Sequence, residues 1–164
     1  MMNTQEALEK LLPSFRRYYN VITEEVEAPF TAEAVFQSHN EQYFLIKSAR
    51  ISEANSNEFV YFYTADSLNA AELQRLDVCA WERGMTHVQP NYYHRSTDVA
   101  LIIIAERIDE EARKLIRKMK HSKSYQFGLQ GYSNYRLIAL ELSTGRVTHN
   151  RQGQSLKKLV SNII

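Results

Sequence analysis

An α+β sandwich is the fold this sequence predicts: a largely antiparallel sheet, built as two three-strand groups plus a buried central strand, with helices packed on it. Three observations lead there. Helical and strand periodicities alternate irregularly within one chain. Several strand-like segments are joined by short connections, which favour an antiparallel meander. And one run, Val99–Ala105, is continuously apolar and β-branched, as a strand covered on both faces must be. At 164 residues the chain fits a single domain able to bury roughly 70% of its unfolded surface.

The elements follow in order. Leu8, Leu12, Phe15 and Tyr19 share one helix face, with Asn3 placed to cap it and Glu6 as the partner of a capping box. Pro13 falls mid-stripe, so the helix kinks there or a second piece starts at it. Phe30, Ala32, Ala34 and Phe36 alternate with polar residues as a half-buried strand does. His39–Glu41 connects it tightly to a second strand, Tyr43–Ala49, and the turn cluster Ala54–Asn57 leads to a third, Phe59–Thr64. Asp66–Arg83 reads as a helix, with Gly84 as its left-handed stop. Residues 85–95 have no period and make the longest loop. After the central strand, Asp109–Lys120 forms a helix. Tyr125–Leu129 and Tyr135–Leu142 form a hairpin around residues 131–134, Arg146–His149 is a short strand, and a last helix starts near Ser155.

The net charge of +1 hides a division. Up to Glu111 there are nine Lys/Arg against eighteen Asp/Glu; from Ala112 onward there are eleven against one, Glu141. Asymmetry between halves points to an anionic partner or to pairing between the halves. Part of it has a local cause. The helix from Asp109 starts with Asp109, Glu110 and Glu111 and ends in Arg117, Lys118 and Lys120, which complements its dipole by about 0.3–1 kcal/mol per charge. Lys157 and Lys158 have no such excuse, because they fall in the first turn of the last helix, with Arg151 just before it. Glu24, Glu25 and Glu27 are their expected partners, inside the monomer or across a dimer.

Aromatic and basic residues also interleave, in Tyr92-Tyr93-His94-Arg95, Lys120–Tyr125, Tyr132 and Tyr135-Arg136. That mix suits single-stranded nucleic acid, with bases on rings and phosphates on cations. The candidate anionic-partner patch is Lys120, Lys123, Tyr125, Arg136, Arg151, Lys157 and Lys158. For catalysis the candidates are His87, His94, Arg95 and Asp98, around the loop that enters the central strand. There a histidine base and an arginine clamp could be assembled. His39, His87, His94, His121 and His149 are scattered without ligand spacing, and the lone Cys79 reads as a small core residue. No metal and no cofactor are expected.

The stretch Lys123-Ser-Tyr-Gln-Phe-Gly-Leu-Gln-Gly-Tyr-Ser, Arg136-Leu137, Thr144-Gly145-Arg146-Val147 and Asn150-Arg151-Gln152-Gly153 resembles an uncharacterised bacterial family known as a domain of unknown function. The resemblance covers the last third and, loosely, the middle. It implies a small cytoplasmic bacterial protein and carries no activity or site residues. No apolar signal-peptide core follows Met1, and the longest apolar run is far short of the ~20 residues of a spanning helix, so no membrane partner is expected. The expected function is a self-associating interaction module without catalysis. A nucleic-acid-binding module and an enzyme or small-ligand binder at the 87–98 loop are the alternatives.

Overall fold

Thr4–Leu11 (α1) starts where the capping box places it. Asn3 Oδ1 accepts from the Glu6 amide at 2.8 Å, and Asn3 Nδ2 donates to Glu6 Oε1 at 2.9 Å. Pro13 opens a second helix, Pro13–Arg16 (α2), in the first turn, where its missing N–H costs nothing. In the computed structural model the described residues are 1–37, 55–88, 94–129 and 131–164, with backbone alone for Asn55, His94 and Arg95. The expected strand Tyr43–Ala49, its His39–Glu41 connection and residues 89–93 of the long loop lie outside them.

Seven strands among the described residues make one sheet: Asn20–Ile22 (β1), Ala32–Gln37 (β2), Asn55–Leu68 (β3), His94–Ile108 (β4), Ser122–Ser124 (β5), Tyr132–Glu141 (β6) and Arg146–His149 (β7). Their order is β1-β2-β3-β4-β6-β5, with β7 also on the outer side of β6. The sheet is mixed, which corrects the antiparallel expectation. β1, β2 and β3 form an antiparallel meander, but β3, β4 and β6 run parallel. The cause is the connections. Ala70–Thr86 (α3) joins β3 to β4, and Glu110–Lys118 (α4) lies between β4 and β6, so each crossover returns the chain to the same end of the sheet. The class remains α+β.

Strand β4 is central, as the Val99–Ala105 run implies, and all seven of those residues are buried. Alternation gives the sheet two apolar faces. Ala100, Ile102, Ile104, Ile138 and Leu140 pack under α1, α2 and the C-terminal helical segment, while Val99, Leu101, Ile103, Leu137 and Ala139 pack under α3 and α4. Among the described residues no helix is long and apolar enough to cross a membrane.

Four boundaries differ from expectation for physical reasons. Strand β3 runs on to Leu68 and Asn69 caps α3, its Oδ1 accepting from the Glu72 amide at 2.8 Å. Gly84 is interior to α3 rather than its stop, because a Cβ there would sit 2.2 Å from Val99 Cγ2; the glycine lets helix and central strand touch. The C-terminal segment is a 3-10 turn, Gln152–Leu156, continued by Lys157–Ser161 (α5). Lys157 and Lys158 therefore sit mid-way along one helical run, not at a free N-terminus, and the dipole argument against them lapses. The expected hairpin arm 125–129 is a turn, preceded by the short β5.

Candidate functional site

Residues at the N-terminal ends of the three parallel strands meet across register. Glu58 of β3 stands beside Asp98 of β4, and Asp98 beside Asn134 of β6. Arg136, two residues on from Asn134 and on the same face, spans both acids: Nη1 donates to Glu58 Oε1 and Nη2 to Asp98 Oδ2, each at 3.1 Å. Tyr19 completes the group from beyond α2, donating its hydroxyl to Glu58 Oε2 at 2.5 Å. Burial raises the pKa of Glu58 against the pull of Tyr19 and Arg136, and it raises Asp98 against Arg136 and Asn134. Tyr19 is pushed up by burial and by the Glu58 charge. The guanidinium is thus engaged at both ends, which takes Arg136 out of the expected anionic patch.

The opposite face holds a second group. His121 Nε2 lies 2.8 Å from Asp77 Oδ2, its ring stacks on Trp81 at 5.0 Å, and it meets the edge of Tyr135 at 5.0 Å. Asp77 Oδ1 and the Tyr135 hydroxyl are buried without a hydrogen-bond partner of good geometry. Burial, reinforced by Asp77, holds the Tyr135 hydroxyl well above an ordinary tyrosine. An Asp–His pair with a clamped ring can orient an imidazole for proton transfer. It can equally fasten the segment after α4 onto α3.

The four catalytic candidates are not brought together. His87 stacks on Phe59 at 4.3 Å on the α3 face, whereas Asp98 faces the other side of the sheet toward Arg136. His94 and Arg95 open β4, and their side chains lie outside the described residues.

Of the anionic patch, Tyr125 is buried, its hydroxyl 3.0 Å from Ser133 Oγ and 3.6 Å from Met85 Sδ. Lys120, Lys123, Arg151, Lys157 and Lys158 are exposed, with no ion pair to any described residue. They occupy the β5–β7 side of the sheet and its C-terminal segment. Their expected partner Glu27 faces Arg83 instead, at 3.4 Å. Asn150 draws part of this side together. Its Nδ2 donates to the carbonyls of Met119 at 3.0 Å and Tyr135 at 3.2 Å, which ties the residue before Arg151 to the residue before Lys120. Its Oδ1 accepts from the amides of Leu137 and Gly153, which mends the gap along β6 between β5 and β7.

Sequence reasoning missed Glu58, Tyr19, Asp77 and Trp81, since only strand register and helix packing bring them to their partners. It also missed Phe127 and Leu129, which stand exposed with Tyr132 at the end of the same basic side. A Phe next to Gly128 in a turn-rich stretch was the available signal.

A family model described as "Domain of unknown function (DUF8052)" matches residues 3–162. No curated protein and no solved structure matches the chain.

Proposed function

We propose that this chain, which belongs to the DUF8052 family of domains of unknown function, is a self-associating interaction module without catalysis. One observation carries the reading: the strand order turns a charge division along the sequence into one across the molecule. Residues 1–108 supply β1 to β4 and hold nine Lys/Arg against fifteen Asp/Glu, a net −6; residues 109–164 supply β5 to β7 and hold eleven against four, a net +7. Five inter-strand steps of about 4.8 Å set β1 and β5 roughly 24 Å apart. Glu24 and Glu25, just past β1, therefore do not reach Lys120 or Lys123 in the same chain. Among the described residues, ion pairs between these two portions are confined to the middle of the sheet, where Arg136 meets Glu58 and Asp98, and His121 meets Asp77. The remaining opposite charges are left to meet between copies.

Light scattering tests this. The mass should exceed the 19.1 kDa of one chain at about 50 mM salt and fall back toward it near 0.5 M, as screening removes the attraction. A monomer under both conditions sinks self-association.

A second reading is favoured by the five exposed cations, Lys120, Lys123, Arg151, Lys157 and Lys158: a module that binds nucleic acid. It expects a single-stranded oligonucleotide to bind with an affinity falling linearly in log salt, and no binding at ~50 mM removes it. We place the protein in the bacterial cytoplasm, on the family resemblance and on the single Cys79, which allows no internal disulfide.

A further inference from the structure

We infer that the turn after β5 is a base-stacking tip for single-stranded nucleic acid, with Phe127 and Tyr132 as the stacking faces and Lys120, Lys123 and Arg151 as the backbone contacts. This rests on the second reading above and names the part of the surface that performs it.

The tip is built to hold an aromatic ring in water. Phe127 is 102% exposed, Leu129 70% and Tyr132 46%. Gln126 and Phe127 have φ of 51° and 54°, a left-handed backbone that residues with side chains adopt only where the surroundings impose it, and Gly128 follows at 91°. Contacts of the neighbouring residues impose it. Tyr125 anchors the turn through its buried ring and its hydroxyl contact to Ser133, while its amide donates to the Gly131 carbonyl at 2.9 Å. The Gly128 and Leu129 amides close back on the Tyr125 and Gln126 carbonyls, both at 3.0 Å. A fully exposed phenyl on a hydrogen-bonded, strained turn is not a core residue that failed to reach the core. It is displayed.

The surroundings select the partner. Lys123 is exposed and holds its ammonium 5.4 Å over the Tyr125 ring. Ser124 pairs with Tyr132 across β5 and β6, so Lys123 and Tyr132 alternate onto opposite faces of this two-stranded rim. A strand laid along the rim meets a cation on one side and a ring on the other. Lys120 and Arg151, both exposed and each following a residue of the Met119–Asn150 hydrogen bond, extend the positive track. From Ala112 onward Glu141 is the lone acidic residue, and it is buried against Arg113, so no exposed acidic side chain in that part of the chain opposes a phosphate. Rings with cations and no acids fit the unpaired bases and backbone of a single strand.

The test uses the full chain, a fluorescein-labelled oligothymidylate, a duplex of equal length, and phosphatidylcholine vesicles with and without phosphatidylserine. The single strand should bind more tightly than the duplex. Phe127→Ala should weaken that binding by roughly 5- to 150-fold, the loss of one stacked base, with the log–log salt slope unchanged. Lys123→Gln should instead make the slope shallower by about 0.7. Phe127 is fully exposed, and an unchanged melting temperature of the Ala variant confirms the fold. Oligonucleotide binding indifferent to Phe127→Ala and Tyr132→Ala overturns the tip while leaving the nucleic-acid reading intact. Binding to neither nucleic acid, or to anionic vesicles alone, overturns both.

Discussion

Asn150 looks in the sequence like one more polar residue of a basic stretch, beside His149 and Arg151. It is instead the most heavily bonded side chain described: buried, with both amide hydrogens donated to carbonyls and its oxygen accepting two amides. Asn150→Ala strands buried donors and acceptors on β6 and after α4, and should cost about 3 kcal/mol or more, read from the urea midpoint. Its contribution was not legible beforehand, because it depends on a gap between two edge strands that only the register reveals. Charge at single residues also sets the pH response. Glu58 and Asp98 hold protons more firmly in the folded protein than unfolded. Their contribution is therefore fully present below the unfolded carboxylate value of about 4, and it is lost as pH rises through their raised folded values. Glu141 runs the other way. Burial works to raise it, but hydrogen bonds from the Thr144 hydroxyl and the Ile108 amide, with the Arg113 charge, hold it low. Its contribution is present above the unfolded value and lost as pH falls through the folded one. Denaturation measured between about pH 4 and 7 should show Glu58→Gln gaining less on acidification than the parent protein; an identical profile would remove Glu58 from the account.

Among the elements, α3 shows how far periodicity reaches. Its stripe of Leu73, Leu76 and Ala80 was readable and is buried, and Asn69 is an ordinary cap. Gly84 was misread because a glycine at a helix end and a glycine at a helix–strand contact look alike in one dimension. The close approach to Val99 makes a sharp expectation. Gly84→Ala should destabilise by about 1–3 kcal/mol, the usual cost of overpacking. Val99→Ala should then recover part of the loss, which a double-mutant cycle measures. Gly153 carries the same kind of constraint, since a Cβ would lie 2.2 Å from the Leu137 carbonyl oxygen. The 125–129 segment misled for a different reason. Its alternating Tyr, Phe and Leu mimic a strand, but only Tyr125 is buried and the others turn outward.

At the scale of the molecule, the central strand and both apolar faces were legible, whereas strand direction was not read correctly. The clue was present: a helix between Thr64 and Val99, and another between Ala105 and Tyr135, each demand a crossover, and crossovers make parallel neighbours. The short connections at 39–41 and 54–57 speak for a meander, and that holds only for part of the sheet. Charge was legible only as a sum along the chain; the strand order puts the net-negative residues 1–108 into β1 to β4 and the net-positive residues 109–164 into β5 to β7. With partners on both sides and helices on both faces, β4 amides should exchange hydrogen more slowly than those of the three-residue edge strand β1, opening only with the whole fold. The same central position has a consequence during synthesis. A ribosome that has released β4 has yet to make β6, so the most apolar strand of the chain waits with one backbone edge bare. That bare edge is a template for any neighbouring nascent strand. For this protein the vulnerable moment lies between the emergence of Ile108 and that of Tyr132, and truncation within that interval should yield insoluble product.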